Sequence, residues 1–155
     1  MNIIEIEEEV LLSDDLKKII EDTVDEVAEK EKLPLINVCV LITDAEGIRE
    51  INREYRNKDT KTDVLSFPYL TYDENFMPVG NLEEEKDPET GAVCLGNMVI
   101  CMEVIKEHAK EYSNTVEQEL RYMVVHSMYH LLGYDHIKEQ DKRIMREKEK
   151  AIIGD

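Results

Sequence analysis

Ile36-Asn37-Val38-Cys39-Val40-Leu41-Ile42-Thr43-Asp44-Ala45-Glu46 decides the architecture. The run from Ile36 to Ile42 is rich in β-branched residues and is the best strand in the chain. Thr43 to Glu46 then fits a capping box, with Thr43 as cap and Glu46 three residues on. The helix it opens is expected to carry Ile48, Ile51 and Tyr55 inward. Working outward, Ser13-Asp14-Asp15 supplies a cap and first-turn acids to an earlier helix. Leu16, Ile19, Ile20, Val24, Val27 and Ala28 recur in it at helical spacing, and it ends near Lys32, ahead of Pro34. Ile3-Ile4-Glu5-Ile6 reads as a short edge strand.

On the C-terminal side, Thr62 to Phe67 is a second strand, stopped by Pro68. Residues 69–91 are polar, hold Pro78, Gly80, Pro88 and Gly91, and read as a long loop or hairpin. Val93 to Cys101 is a strand in which Gly96 marks a bulge or a close approach. Helices follow over about 102–112, from the capping box Thr115-Val116-Glu117-Gln118 to about Leu132, and over about 138–152. Gly133 supplies the stop of the second. The pattern is a small mixed β-sheet packed with helices: an α+β fold or a mixed α/β layer, in a single domain over residues 1–155.

Composition narrows the class. At 155 residues with 42% hydrophobic content, the chain can bury a core despite 35% charged residues. No run of 18 apolar residues exists, so no transmembrane helix is expected. The first 15 residues resemble neither a secretory signal nor a transit peptide. Cys39, Cys94 and Cys101 lack paired spacing and read as reduced thiols, which points to the cytoplasm and excludes a disulfide scaffold. The net charge is −17, but it is unevenly spread. Residues 1–31 hold 12 acids and 3 bases, and residues 71–91 hold 7 acids and 1 base. The remaining segments are close to neutral. Charge therefore argues against non-specific nucleic-acid binding without excluding a local phosphate site.

Three of the four histidines fall in His126-Ser127-Met128-Tyr129-His130-Leu131-Leu132-Gly133-Tyr134-Asp135-His136. His126 and His130, at i and i+4, share one helix face about 5–6 Å apart at Cβ. Gly133 lets the chain fold back, which can bring His136 to the same ion as a third ligand. Three imidazoles and an open position form the ligand set of a catalytic zinc site. Leu120, Val124, Met128 and Leu131 lie on the opposite, core-facing side of the helix. His108 has no such partner and reads as a solvated helix residue. The spacing matches the ligand positions of the zinc-protease pattern H-E-x-x-H-x-x-G-x-x-H, giving a zincin-like metal helix near the C-terminus. Position 127, however, is Ser rather than the Glu that acts as general base. Peptide hydrolysis by that route is disfavoured, and proton transfer falls to the substrate or to a side chain such as Asp135.

Arg49, Arg53 and Arg56 form a guanidinium stripe suited to phosphate oxygens, or simply a solvated charged face among Glu46, Glu50 and Glu54. Asn52-Arg53-Glu54-Tyr55-Arg56, then Thr62-Asp63-Val64-Leu65-Ser66-Phe67-Pro68, then Leu95-Gly96-Asn97-Met98, then the His126–His136 block resemble the YbeY family of bacterial metal-dependent endoribonucleases. The likeness covers most of residues 35–137 in the family's order. The family's H-G-x-L-H-L-x-G-Y-D-H signature carries Ser127 for Gly and Tyr129 for Leu here. Its L-G-D-I block carries Asn97 for Asp and Met98 for Ile.

The resemblance implies one α+β domain and one zinc-like ion per chain held by His126, His130 and His136. It further implies cleavage of single-stranded RNA near the 3′ end of small-subunit rRNA, with the small ribosomal subunit as partner and no DNA or membrane. Arg56 becomes the catalytic phosphate contact. Two alternatives stand beside it: a different metallohydrolase acting on peptides or phosphoesters, and a non-catalytic ribosome-assembly factor whose metal is structural.

Overall fold

The computed structural model describes residues 2–135 and 138–154. Its elements run β1 (Ile3–Glu8), α1 (Asp14–Lys30), β2 (Ile36–Thr43), α2 (Ala45–Arg56), β3 (Val64–Pro68), β4 (Val93–Cys101), α3 (Met102–Glu111), α4 (Val116–Leu131) and α5 (Glu139–Ile153), with a single 3-10 turn at Leu82–Glu85. The four strands form one mixed sheet in the order β1-β2-β4-β3. β1, β2 and β4 are parallel, and β3 closes the far edge antiparallel to β4. The fold is α+β, as the sequence implies, and no helix among the described residues is long and apolar enough to cross a membrane.

Strand alternation divides the apolar residues between two faces. Val38, Val40 and Ile42 of β2 point with Met98 and Ile100 of β4 into the main core. There they meet Ile20, Val24 and Val27 of α1 and Leu120, Val124 and Met128 of α4. The other face carries a smaller core, in which Leu65, Val99 and Cys101 lie beneath Ile48 of α2 and Val104 of α3. α4 is the hub of the helical layer, packing on α1, α3, α5 and β3. Gly96 serves both functions expected of it. The β2–β4 register shifts at Asn37/Val38, opposite it. A Cβ at Gly96, where φ is +142°, would strike the Phe67 carbonyl oxygen and come within 3.1 Å of Leu131.

Several local expectations are corrected. The cap of α2 is Asp44, whose carboxylate accepts from the Gly47 amide at 2.7 Å. Thr43 instead donates its hydroxyl to Glu9 (2.7 Å), because it is still the last residue of β2 and faces the β1 edge. Tyr55 is 68% exposed rather than inward, its ring edge-on to Phe67 at 5.6 Å. Only Ile48 of that trio is fully buried, because α2 rides on the small core with Ile48 innermost and leaves Ile51 partly covered and Tyr55 at the rim. α1 ends at Lys30, and β3 starts at Val64 and includes Pro68, which an edge strand tolerates. Within residues 69–91, Tyr72 and Pro78 bridge as a small hairpin.

Candidate active site

Most of α4 is buried, yet Tyr122, His126 and His130, spaced at i, i+4 and i+8, reach the helix surface on one side. Its start is fixed by the expected capping box, with Thr115 accepting from the Gln118 amide and Gln118 accepting from the Thr115 amide. At the other end Gly133 takes φ +94° and the chain turns back. That return brings the Tyr134 carbonyl to His130 Nδ1 at 3.0 Å. Tyr134 is itself stacked on Phe76 of the hairpin, with ring centroids 4.3 Å apart. Tyr72 of the same hairpin covers Gly133 so closely that a Cβ there would lie 2.5 Å from its ring.

The tautomers follow from these partners. A carbonyl can only accept, so His130 Nδ1 carries the proton. His126 Nδ1 lies 2.7 Å from the Glu149 carboxylate on α5, a side chain only 6% exposed, and it likewise donates. Both rings, when neutral, therefore carry their unprotonated nitrogen at Nε2. These two nitrogens are 3.2 Å apart, with the rings nearly perpendicular at 86°. Two lone pairs that close repel unless a cation lies between them. Two zinc–nitrogen bonds of 2.0–2.1 Å at a tetrahedral angle place their nitrogens about 3.3–3.4 Å apart. The separation fits a shared metal ion, with Glu149 and the Tyr134 carbonyl as the outer groups that orient the ligands. His136 lies outside the described residues, and no cluster of three or more metal-binding side chains occurs among those described.

The imidazoles open into a cleft of about 590 Å³ walled by Arg56, Lys58, Asp63, Ser66, Tyr134 and Asp135, among others. Arg56 and Asp135 thus share a cleft with His126 and His130. Among the described residues none of the acidic segments 1–31 and 71–91 lines it, and the charged groups of its wall beside the imidazoles are two cations and two carboxylates. Asp59 is held by Arg49 at 2.8 Å, and this guanidinium holds the Asp59 carboxyl below its ordinary range. Arg49 is accordingly spent structurally and does not extend a phosphate stripe.

Ser127 is fully buried and shares a 2.7 Å hydrogen bond with Ser66 of β3, so its hydroxyl ties helix to sheet. His108 is not merely solvated: its Nδ1 is 3.1 Å from Asp63, a carboxylate of the cleft wall. Asn97 lies on the opposite face of the sheet, where it donates to the Tyr69 hydroxyl at 2.9 Å. That face has a larger hollow of about 720 Å³ containing Glu5, Glu7, Glu54 and Cys39. Among the described residues its wall has no imidazole, lysine or arginine.

The family model for endoribonuclease YbeY matches residues 2–155. The chain belongs to the endoribonuclease YbeY family. An endoribonuclease YbeY of Lachnospira eligens is 41% identical to it, covering 97% of this chain and 94% of the relative. One of Agathobacter rectalis is 39% identical, covering 97% and 93%. The solution structure of TM1509 from Thermotoga maritima superposes with a TM-score of 0.62 at 28% identity, covering 97% of this chain and 87% of that one. Membership makes the protein an enzyme of a hydrolytic, RNA-cleaving family and excludes the protease alternative as its family assignment.

Two groups escape sequence reading. Glu149 sits among Lys148, Lys150 and Glu147 and reads as solvated. Its spacing from Met145 and Ile153 on the inner side of α5 is the one signal that it faces inward. The Tyr134 carbonyl is backbone and leaves no signal in residue identity.

Proposed function

We propose that this chain acts, as one domain over residues 1–155, as a metal-dependent endoribonuclease on single-stranded RNA. Its substrate is the 3′ region of small-subunit rRNA, its partner the small ribosomal subunit and its compartment the cytoplasm. The observation that carries the reading is the convergence of two oriented imidazoles, 3.2 Å apart at Nε2, on a cleft that also holds Arg56. His126 and His130 of the zincin-like helix α4, together with His136, would hold one zinc-like ion. Bound there, such an ion supplies a Lewis acid and a water acidified towards neutral pH.

The chain's own residues do the rest. Glu149 and the Tyr134 carbonyl hold His126 and His130 with Nε2 towards the cleft. Arg56 forks two phosphate oxygens and neutralises the charge that grows on them as the phosphodiester is attacked. Asp135, in the cleft wall, accepts the proton that the attacking water loses, a role closed to Ser127, which is buried against Ser66. The test is metal analysis of the purified protein, followed by incubation with single-stranded rRNA fragments. The expected result is one divalent ion per chain and cleavage that disappears in His126→Ala. Cleavage surviving in that variant would assign the activity to a contaminant and defeat the proposal.

A further inference from the structure

An enzyme with a net charge of −17 must still gather a polyanion, and among the described residues the cleft offers only Arg56 and Lys58 as cations. The outer side of α5 supplies more. Lys142, Arg143, Arg146 and Lys150 fall within an arc of about 100° when residues are set 100° apart, along about 12 Å of helix axis. Glu139 and Glu147 share this side, which leaves it net positive. Nine other ion pairs of lysines and arginines occur among the described residues, and none involves these four side chains.

The location matters as much as the charge. Arg146 and Lys150 flank Glu149, the residue that touches His126. They share with Tyr122 a groove of about 240 Å³ between α4 and α5. Tyr122 is 39% exposed, and its ring centroid is 6.1 Å from that of His126. The cationic side of α5 therefore runs up to the imidazole pair across an exposed aromatic ring.

We infer that the outer side of α5 is the track on which single-stranded RNA lies outside the cleft, its phosphates on Lys142, Arg146 and Lys150 and a base stacked on Tyr122. Phosphate charge matches the cations, and stacking on an aromatic ring is the usual companion of such contacts in single-strand binding. The inference rests on the endoribonuclease reading and adds the route by which substrate reaches the site.

The test is anisotropy of a labelled 16-nucleotide oligo-uridine on the metal-loaded protein across a salt series, with RNA intactness checked by gel. The triple variant Lys142→Gln/Arg146→Gln/Lys150→Gln should weaken binding about tenfold or more at low salt. It should also flatten the log–log salt slope by about 2, since each phosphate contact on a single strand contributes about 0.7. Tyr122→Ala should weaken binding and Tyr122→Phe should not. A charge-matched control at Lys18, Lys30 and Lys86, none of which lines the cleft, should bind like the parent protein. Equal weakening in the control would reduce the effect to overall charge and overturn the track. So would parental affinity and slope in the α5 variant, which leaves the RNA reading standing. Failure of the parent protein itself to bind or cut RNA would sink both. Because α5 also carries Glu149, a melting curve and metal content accompany each variant; Lys142→Gln alone, farther from Glu149, should still lower the slope by about 0.7.

Discussion

Glu149 fixes the orientation of one of two helical histidines, His126, and its effect can be separated from that of the histidines. Glu149→Gln keeps shape and can still accept from His126, but it gives up the carboxylate. Metal affinity is expected to fall about 10–100-fold, as for other outer-shell partners, in a competition titration with a chromogenic chelator. Affinity equal to that of the parent would show that the ring needs no carboxylate. Arg56→Lys keeps charge and loses the fork, and Arg56→Glu reverses the charge. Both should retain metal and fold while lowering RNA cleavage by about 10²–10³, with Glu the worse. Near-parental rates in both would remove Arg56 from the reaction. At this scale the sequence was legible wherever spacing carries the chemistry: His126 and His130 are on the face that helical periodicity assigns them. It was illegible where the partner is remote in sequence or is backbone. Glu149 is 23 residues from His126, and the Tyr134 carbonyl belongs to no side chain. Asp44 and Thr43 were exchanged because both are good caps, and the choice between them depends on where β2 ends.

The hairpin around Tyr72–Pro78 is the element whose role sequence could least reveal, since a polar stretch with prolines and glycines signals only a turn. Folded, it clamps Gly133 and Tyr134, and thereby the carbonyl that orients His130. Phe76→Ala should loosen that clamp, weakening metal binding while the sheet persists, as read by metal titration beside far-UV circular dichroism. Unchanged affinity would show that the α4 C-terminus holds itself. The Tyr72 hydroxyl is buried with no hydrogen-bond partner among the described residues, and burial pushes its pKa up to about 12. A phenol whose folded value exceeds its ordinary value near 10 contributes stability fully present below pH 10 and lost as pH rises towards 12. Tyr72→Phe should therefore be neutral or stabilising at pH 7 and should resist that alkaline loss, as measured by thermal melts across pH 8–12. The strands and helices themselves were legible to within a few residues, because alternation in β2 and periodicity in α1 and α4 are set by the same core. Tyr55 misled because an aromatic at helical spacing can still lie at the rim of a small core, here edge-on to Phe67 and largely exposed.

Across the whole molecule, acids concentrated in residues 1–31 and 71–91 repel one another, and salt screens that repulsion within about a Debye length. Raising monovalent salt from about 20 to 200 mM should raise the melting temperature while it weakens RNA binding, two responses of opposite sign in one titration. A melting temperature that stays flat or falls would mean that ion pairing, not repulsion, dominates the acidic segments. The three thiols lie on β2 and β4. Cys39 and Cys94 are half-buried and Cys101 is buried, all on strands rather than in the imidazole cleft. Burial pushes all three thiols up, Cys39 to about 11 with Glu5 assisting. Thiolate, the form that alkylates, oxidises and captures soft metals, is therefore scarce at neutral pH. The protein should tolerate handling in air, react slowly with iodoacetamide and leave added zinc to its imidazoles, so that a loading curve breaks at one equivalent without interference from sulfur.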